Sequence, residues 1–357
     1  MRDGPALGRI TSLQVLRFAA ASCVIALHAW QAVSGAPNGQ NVGVVGTFGP
    51  FGVDVFFVLS GFIIATTAPG RAAGLFLKQR LIRIVPLYWL LTLVMMALLA
   101  RAGMLTARPL LASALFIPTL HAEPYIVVGW TLCYEMLFYA AVAAVLLRPR
   151  WGWIAALSLY AAASLARPVW GGPWLQFIGS PLIAEFLFGV LIARAPRSAV
   201  AAWLTGAAGV VSLGLLALSG YQGVVTRPEF AGSGDWLRVL VYGCPAALLV
   251  YAAVQLDLRG RAWRALAYLG DASYAAYLVH VLVLILIPWT LAGHAPAQAA
   301  AMLFGLSWLA AIGLHEGLEK PMQAALKRAL LRPPSRPLGF ALDGDQRGHV
   351  GAVQQDG

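Results

Sequence analysis

Long apolar segments follow one another along most of the chain, separated by short polar or basic connections. A helix needs about 20 apolar residues to cross the hydrocarbon core of a bilayer, so each segment of that length predicts one span. We predict ten spans, at residues 12–34, 50–68, 84–102, 128–147, 151–166, 174–194, 199–218, 237–256, 272–291 and 297–316. A further apolar piece, Leu110 to Pro118, is too short to span and is expected to re-enter the membrane or lie at its surface.

Composition supports the same fold class, an all-α polytopic membrane protein with a bundle of about ten transmembrane helices. The chain is 60% hydrophobic and 11% charged, whereas soluble domains carry about 25% charged residues. Cys23, Cys133 and Cys244 fall inside apolar segments, which predicts neither a disulfide framework nor a metal site. We expect one membrane domain over residues 1–331 and a flexible cytoplasmic tail over 332–357, which is rich in Pro, Gly and polar residues.

The basic residues predict the orientation of the bundle. With both termini in the cytoplasm, nineteen of the 25 Lys and Arg residues fall in cytoplasmic segments, as expected from the preference of positive charge for that side. The net charge of +11 is therefore first a signal of topology, and no nucleic-acid partner is expected.

The first span carries Arg17 and His28 within an otherwise apolar segment. Eleven helical residues separate them by about 16 Å along the axis and about 20° around it, so they share one face. Ionisable residues inside a membrane are costly and usually line a functional path. The alternative is that each side chain extends to the nearer membrane surface.

The second span carries Asp54 at a depth that would allow it to meet His28. A carboxylate beside an imidazole fixes its tautomer and prepares a general base. Asp54 also follows a Gly-Pro-Phe-Gly turn, so it could simply cap the helix.

Basic residues also cluster between the second and third spans, where Gly70 to Ile84 is predicted to be an amphipathic cytoplasmic segment. It carries Lys78, Arg80 and Arg83, and the last two are spaced to share a helix face and bind phosphate. The alternative is simple anchoring at the cytoplasmic surface.

Further polar residues lie in the later spans. In the fourth span, Glu135 must face the bundle or water, and Trp130 and Tyr139 could line a sugar-sized cleft or serve as interfacial anchors. Glu185 in the sixth span suits a polar bond between helices as well as a site. One polar stripe on the ninth span consists of Ser273, Tyr277 and His280.

Several strings in this order resemble the membrane acyltransferase 3 family, whose members O-acylate lipopolysaccharide, exopolysaccharide and similar glycans. Arg17 and His28 match its Arg-x10-His signature, and Arg80 and Arg83 resemble its Arg-x-x-Arg motif. The other strings are GVDVFFVLSGF, RLIRIVPLYW, WTLCYEMLFY, LGDASYAAYLVH and EKP. One departure is Thr131, where the family's Trp-Ser-Leu motif has Ser.

The resemblance implies transfer of an acyl group, most simply acetyl, from cytoplasmic acyl-CoA to a hydroxyl of a glycan or lipid-linked saccharide. The donor's phosphates would bind Lys78, Arg80 and Arg83, with Arg17 holding the thioester arm. His28 would act as the base and Asp54 would orient it, and a transiently acylated enzyme is the alternative route. Glu135, Tyr139 and Trp130 are acceptor-side candidates. No bound cofactor is expected.

The location implied is the inner membrane of a bacterium. A transporter or flippase for a glycan or lipid would also need buried charge, but the sequence lacks the inverted repeats common in such proteins. A purely structural membrane protein is the third interpretation, and the number of ionisable residues in the spans argues against it.

The charge bias gives a direct test of topology. We expect a reporter fused after Arg332 to report the cytoplasm and one inserted in the Gly35 to Gly49 connection to report the opposite side. The reverse pair of signals would invert the assignment of every residue to a membrane face.

Overall fold

The computed structural model describes residues 10–34, 43–117, 123–170, 172–220, 236–287, 291 and 293–331. The predicted tail, 332–357, lies outside these residues.

The regular structure of the described residues is entirely helical, which confirms the predicted fold class. Its first part contains α1 (Thr11–Ser34), α2 (Gly43–Thr67), α3 (Ala73–Arg101), α4 (Pro109–Leu115), α5 (Trp130–Leu147), α6 (Pro149–Trp170) and α7 (Pro173–Ile178). Its second part contains α8 (Ile183–Ile192), α9 (Ala199–Leu218), α10 (Trp236–Arg238), α11 (Cys244–Gln255), α12 (Arg261–Asp271), α13 (Ser273–Leu286), α14 (Pro296–Leu314) and α15 (Lys320–Leu330).

The number of spans is close to the ten predicted. Within the described ranges, eight helical segments are long and apolar enough to cross a membrane, and a ninth forms if α12 and α13, bent by 61°, count as one. The remaining predicted span corresponds to α6, a helix of 22 residues made less apolar by Arg150 and Arg167. The short apolar piece forms α4, only seven residues long.

Helix α3 corrects one boundary. It begins at Ala73 and runs for 29 residues, so most of the segment predicted to connect two spans is the start of the third helix. No proline stands between Ala73 and Pro86, Gly74 lies in the first turn only, and a membrane helix tolerates an internal proline. Arg80 and Arg83 therefore project from a continuous helix into the bundle.

Helix α1 is the central element of the described bundle. It contacts α2, α11, α12, α13 and α14. At Gly52 of α2 and Gly270 of α12, an added Cβ would overlap the backbone oxygens of Ala20 and Gln14. Because small residues let membrane helices approach closely, these two contacts fix α1 at two levels along its length.

A reciprocal contact joins α2 to α8. A Cβ at Gly61 would overlap the backbone oxygen of Phe186, and a Cβ at Gly189 would overlap that of Val58. This close packing brings Glu185 to the level of α2.

Two helical segments contain wide π turns. Val239–Gly243 joins α10 to α11, and His315–Glu319 joins α14 to α15. Such turns are rare and often accompany functional sites. The half-buried Arg238 directly precedes the first turn, and the buried His315 and Glu319 lie in the second.

Candidate active site

A cavity with a basic rim opens between α1, α2, α3, α5 and α13. Its charged or hydrogen-bonding residues are Arg17, Ser60, Arg80, Arg83, Thr131, Glu135, Tyr139, Ser273, Tyr274 and Tyr277. Its apolar lining consists of Val53, Phe56, Phe57, Leu59, Ile63, Ile84 and Leu132. Three guanidinium groups face one carboxylate, so the cavity favours an anionic ligand.

The two arginines of α3 line this cavity in different ways. Arg80 donates a hydrogen bond to Thr67 (2.8 Å), and its guanidinium lies 5.6 Å from the ring centre of Phe76 and 5.9 Å from that of Tyr139. Arg83 makes no side-chain hydrogen bond to the described part of the chain, so its donors remain available. Lys78, predicted to join them, is exposed and does not line the cavity.

Arg17 enters the cavity from α1. Only 9% of its surface is exposed, and its guanidinium donates to Gln14 at 3.3 Å. Arg83, Glu135 and Glu319 are close enough to act on its charge. The charges of the carboxylates on two other helical segments favour a buried cation at this position, which helps to explain how the first span accommodates it.

Glu135 and Tyr139 also line the cavity, although the sequence placed them on the acceptor side. The Glu135 carboxylate accepts hydrogen bonds from Ser60 (2.8 Å) and Tyr139. The structure therefore places them with Arg17, Arg80 and Arg83 in one cavity. Trp130 does not line it; its ring packs 6.3 Å from that of Phe57.

Tyr277 closes one end of the cavity. Its hydroxyl bonds Thr131 Oγ1 (3.0 Å) and the Val128 carbonyl (3.2 Å). A serine could provide the same hydroxyl as Thr131, which explains why the departure from the resembled motif is mild. The Tyr277 ring also lies 6.1 Å from that of His280, so this residue separates the cavity from a pair of histidines.

The histidine pair joins α1 to α13. His28 Nδ1 lies 2.9 Å from His280 Nε2, and the two rings are parallel within 5° at a centroid distance of 5.2 Å. His280 has no exposed surface, whereas His28 is half-buried. Arg17 and Ser273 line the cavity, and His28 and His280 lie further along the same two helices. Both helices therefore run from the cavity to the histidine pair.

Asp54 has a different partner from the one expected. Its carboxylate, with no exposed surface, forms an ion pair with Arg238 at 2.8 Å. The contacts of α2 with α1 place Gly49 beside Leu27 and Gly52 beside Ala20, which puts Asp54 about 10 Å from the level of His28 along the axis. The structure therefore does not bring Asp54 and His28 together.

The Asp54 pair belongs to a second buried cluster. Glu185 from α8 is fully buried and close enough to act electrostatically on both Asp54 and Arg238. Removing one member of a buried ion pair commonly costs about 3–5 kcal/mol, since the other charge is left uncompensated. This cluster thus joins α2, α8 and the π turn that follows Arg238, consistent with the helix-packing interpretation of Glu185.

Another polar pair includes Glu319, which is close enough to act on the charge of Arg17. His315 Nδ1 and Glu319 Oε2 are 2.6 Å apart across the second π turn. Glu316 and Lys320 form an ion pair beside it.

Sequence reasoning did not assign a site role to His280, Arg238 or Glu319. For His280, the stripe on the ninth span was a usable signal, whereas Arg238 lies at the start of a span, where the sequence offers no indication of a buried partner. Within the described ranges, no group of three or more His, Cys, Asp or Glu side chains could hold a metal. The three cysteines are free.

Comparison with known proteins agrees with these features. A family model described as "Acyltransferase domain" matches residues 10–314. The chain is 35% identical over 303 residues to the exopolysaccharide production protein ExoZ of Rhizobium meliloti (strain 1021), covering 77% of this chain and 90% of that protein. It is 29% identical over 399 residues to the acyltransferase MdmB of Streptomyces mycarofaciens, covering 95% and 96%. No solved structure matches it.

The match over most of the chain decides between the enzyme and transporter interpretations. The chain belongs to the acyltransferase 3 family and is a multi-pass membrane acyltransferase.

Proposed function

We propose that this enzyme transfers an acyl group, most simply acetyl, from acyl-CoA to a hydroxyl of a cell-surface glycan or lipid-linked saccharide. The observation that carries the proposal is helix α1, which reaches a basic cavity through Arg17 and a histidine pair through His28. The name of the relative ExoZ, an exopolysaccharide production protein, supports a saccharide acceptor. The bacterial sources of both relatives support the inner (plasma) membrane of a bacterium, and the charge bias of the connections supports a basic cavity that faces the cytoplasm.

The cavity suits the donor. Acyl-CoA combines a phosphate-rich head with a long, less polar arm that carries the thioester. The unbonded donors of Arg83 and the partly engaged guanidinium of Arg80 would bind phosphate oxygens, since the planar fork of arginine matches them. The tyrosine and apolar lining towards Tyr277 would accommodate the arm. Lys78, outside the cavity, would contribute only at its approach.

His28 would then act as general base. As the acceptor hydroxyl oxygen attacks the thioester carbonyl, its proton passes to His28, the C–O ester bond forms and the C–S bond breaks. The CoA thiolate leaves and takes up the proton from His28, so the atoms and charges balance without another reactant. Tyr277 lies between the cavity and the histidines, so the thioester must pass this residue.

Asp54 would support this chemistry only indirectly, through the packing of α2. Its ion pair with Arg238 occupies the carboxylate that was expected to orient His28. Glu135 and Tyr139 are better suited to the donor side, beside Arg80, than to the acceptor.

Replacing the base tests the proposed function. For His28→Ala we expect acyl transfer from radiolabelled acetyl-CoA into the envelope glycan fraction to fall by at least about 100-fold, because general-base catalysis typically contributes that much. Expression and thermal unfolding should match the wild type. His294→Ala, which alters an exposed histidine, is the control. Full transfer activity in His28→Ala would remove His28 from the mechanism.

Replacing the two cavity-lining arginines of α3 by lysine tests the donor site. In Arg80→Lys/Arg83→Lys, we expect acetyl-CoA affinity to fall about tenfold or more per substitution, since each charge-assisted contact contributes about 1.5–3 kcal/mol. Binding would be measured in detergent across a salt series. Arg148→Lys/Arg150→Lys, on exposed positions, is the matched control. Wild-type affinity with an unchanged salt slope would show that the α3 arginines only anchor the helix.

A further inference from the structure

The hydrogen bonds around His280 determine which nitrogen of each ring in the histidine pair carries the proton. His280 Nδ1 lies 3.1 Å from the carbonyl oxygen of Ala276, one helical turn earlier. A carbonyl oxygen can only accept, so Nδ1 of His280 must carry hydrogen.

The second nitrogen of His280 must then accept. The ring has no exposed surface, and its polar contacts in the described chain are to Ala276 and His28. A second proton would bury a positive charge with no carboxylate to balance it, which is costly. His280 is therefore neutral, with the lone pair on Nε2.

The proton between the rings follows from this. Because His280 Nε2 accepts, His28 Nδ1 donates across the 2.9 Å contact. A neutral His28 that carries its hydrogen on Nδ1 has its lone pair on Nε2. That atom makes no hydrogen bond to any described residue, yet it is not fully buried. It is therefore accessible to a reacting hydroxyl.

We propose that His280 is a positioning residue, which holds His28 in the tautomer whose Nε2 faces the reacting hydroxyl. This inference rests on the proposed function, in which His28 is the base. The parallel rings also fix the orientation of His28. When His28 accepts a proton, its Nδ1 bond to His280 becomes charge-assisted and stronger, so the same contact stabilises the transition state.

The tautomer can be measured without activity. ¹⁵N spectra of the histidine-labelled full chain distinguish the two tautomers, and the His28 signal is assigned by its loss in His28→Ala. We expect the Nδ1-protonated form in the wild type and in His280→Gln, whose side-chain amide oxygen can still accept. In His280→Leu the acceptor is lost, and His28 should shift towards the Nε2-protonated form that free histidine prefers.

Activity should follow the tautomer. His280→Leu is expected to lower kcat about tenfold, the order of one net hydrogen bond, with KM for acetyl-CoA unchanged, and His280→Gln should restore most of the loss. His294→Leu, on an exposed histidine, is the control. An Nε2-protonated His28 in the wild type, or equal losses in the Leu and Gln variants, would overturn the proposal. If His280→Leu does not fold, the spectra of the wild type and of His280→Gln still show whether His28 carries its proton on Nδ1. If the wild type shows the Nδ1 tautomer but His28→Ala keeps full activity, the proposed function is overturned instead.

Discussion

The cost of placing a charge or an unpaired polar group in an apolar bundle governs this structure. Arg17 is tolerated because it opens into a cavity near Glu135 and Glu319, and Asp54 because Arg238 neutralises it. The histidines avoid the cost by remaining neutral and bonding each other. Each solution requires a particular packing of helices, so the chemistry and the fold are determined together.

Close helix packing supplies the required positions. Gly52 and Gly270 bring α2 and α12 against the backbone of α1, and the bend of 61° after Asp271 redirects the chain into α13. As a result, α13 runs beside α1 from the cavity to the histidine pair. Two helices from opposite ends of the sequence thereby connect the basic cavity with the histidine pair.

The sequence predicted features that depend on spacing within one segment. The face shared by Arg80 and Arg83, the path along α1 and most span boundaries follow from helix geometry and apolar length. Pairings between distant segments could not be predicted, because they depend on how helices pack. His28 meets His280 across 252 residues and Asp54 meets Arg238 across 184. Likewise, the expectation that Glu135 faces the bundle or water gave no indication that it shares a cavity with the arginines.

We propose that the phosphates of the donor bind near one end of α1, in the cavity that Arg17 lines, and that the base, His28, lies towards the other end. The most direct test is labelling by a photoreactive acyl-CoA in sealed membrane vesicles of either orientation, with the modified peptides identified by mass spectrometry. The account predicts labelling of α3 and α5 around Arg80 and Glu135, only when the cytoplasmic face is outward, and competition by free CoA. Labelling from the opposite face, or confined to helices that do not line the cavity, would contradict it.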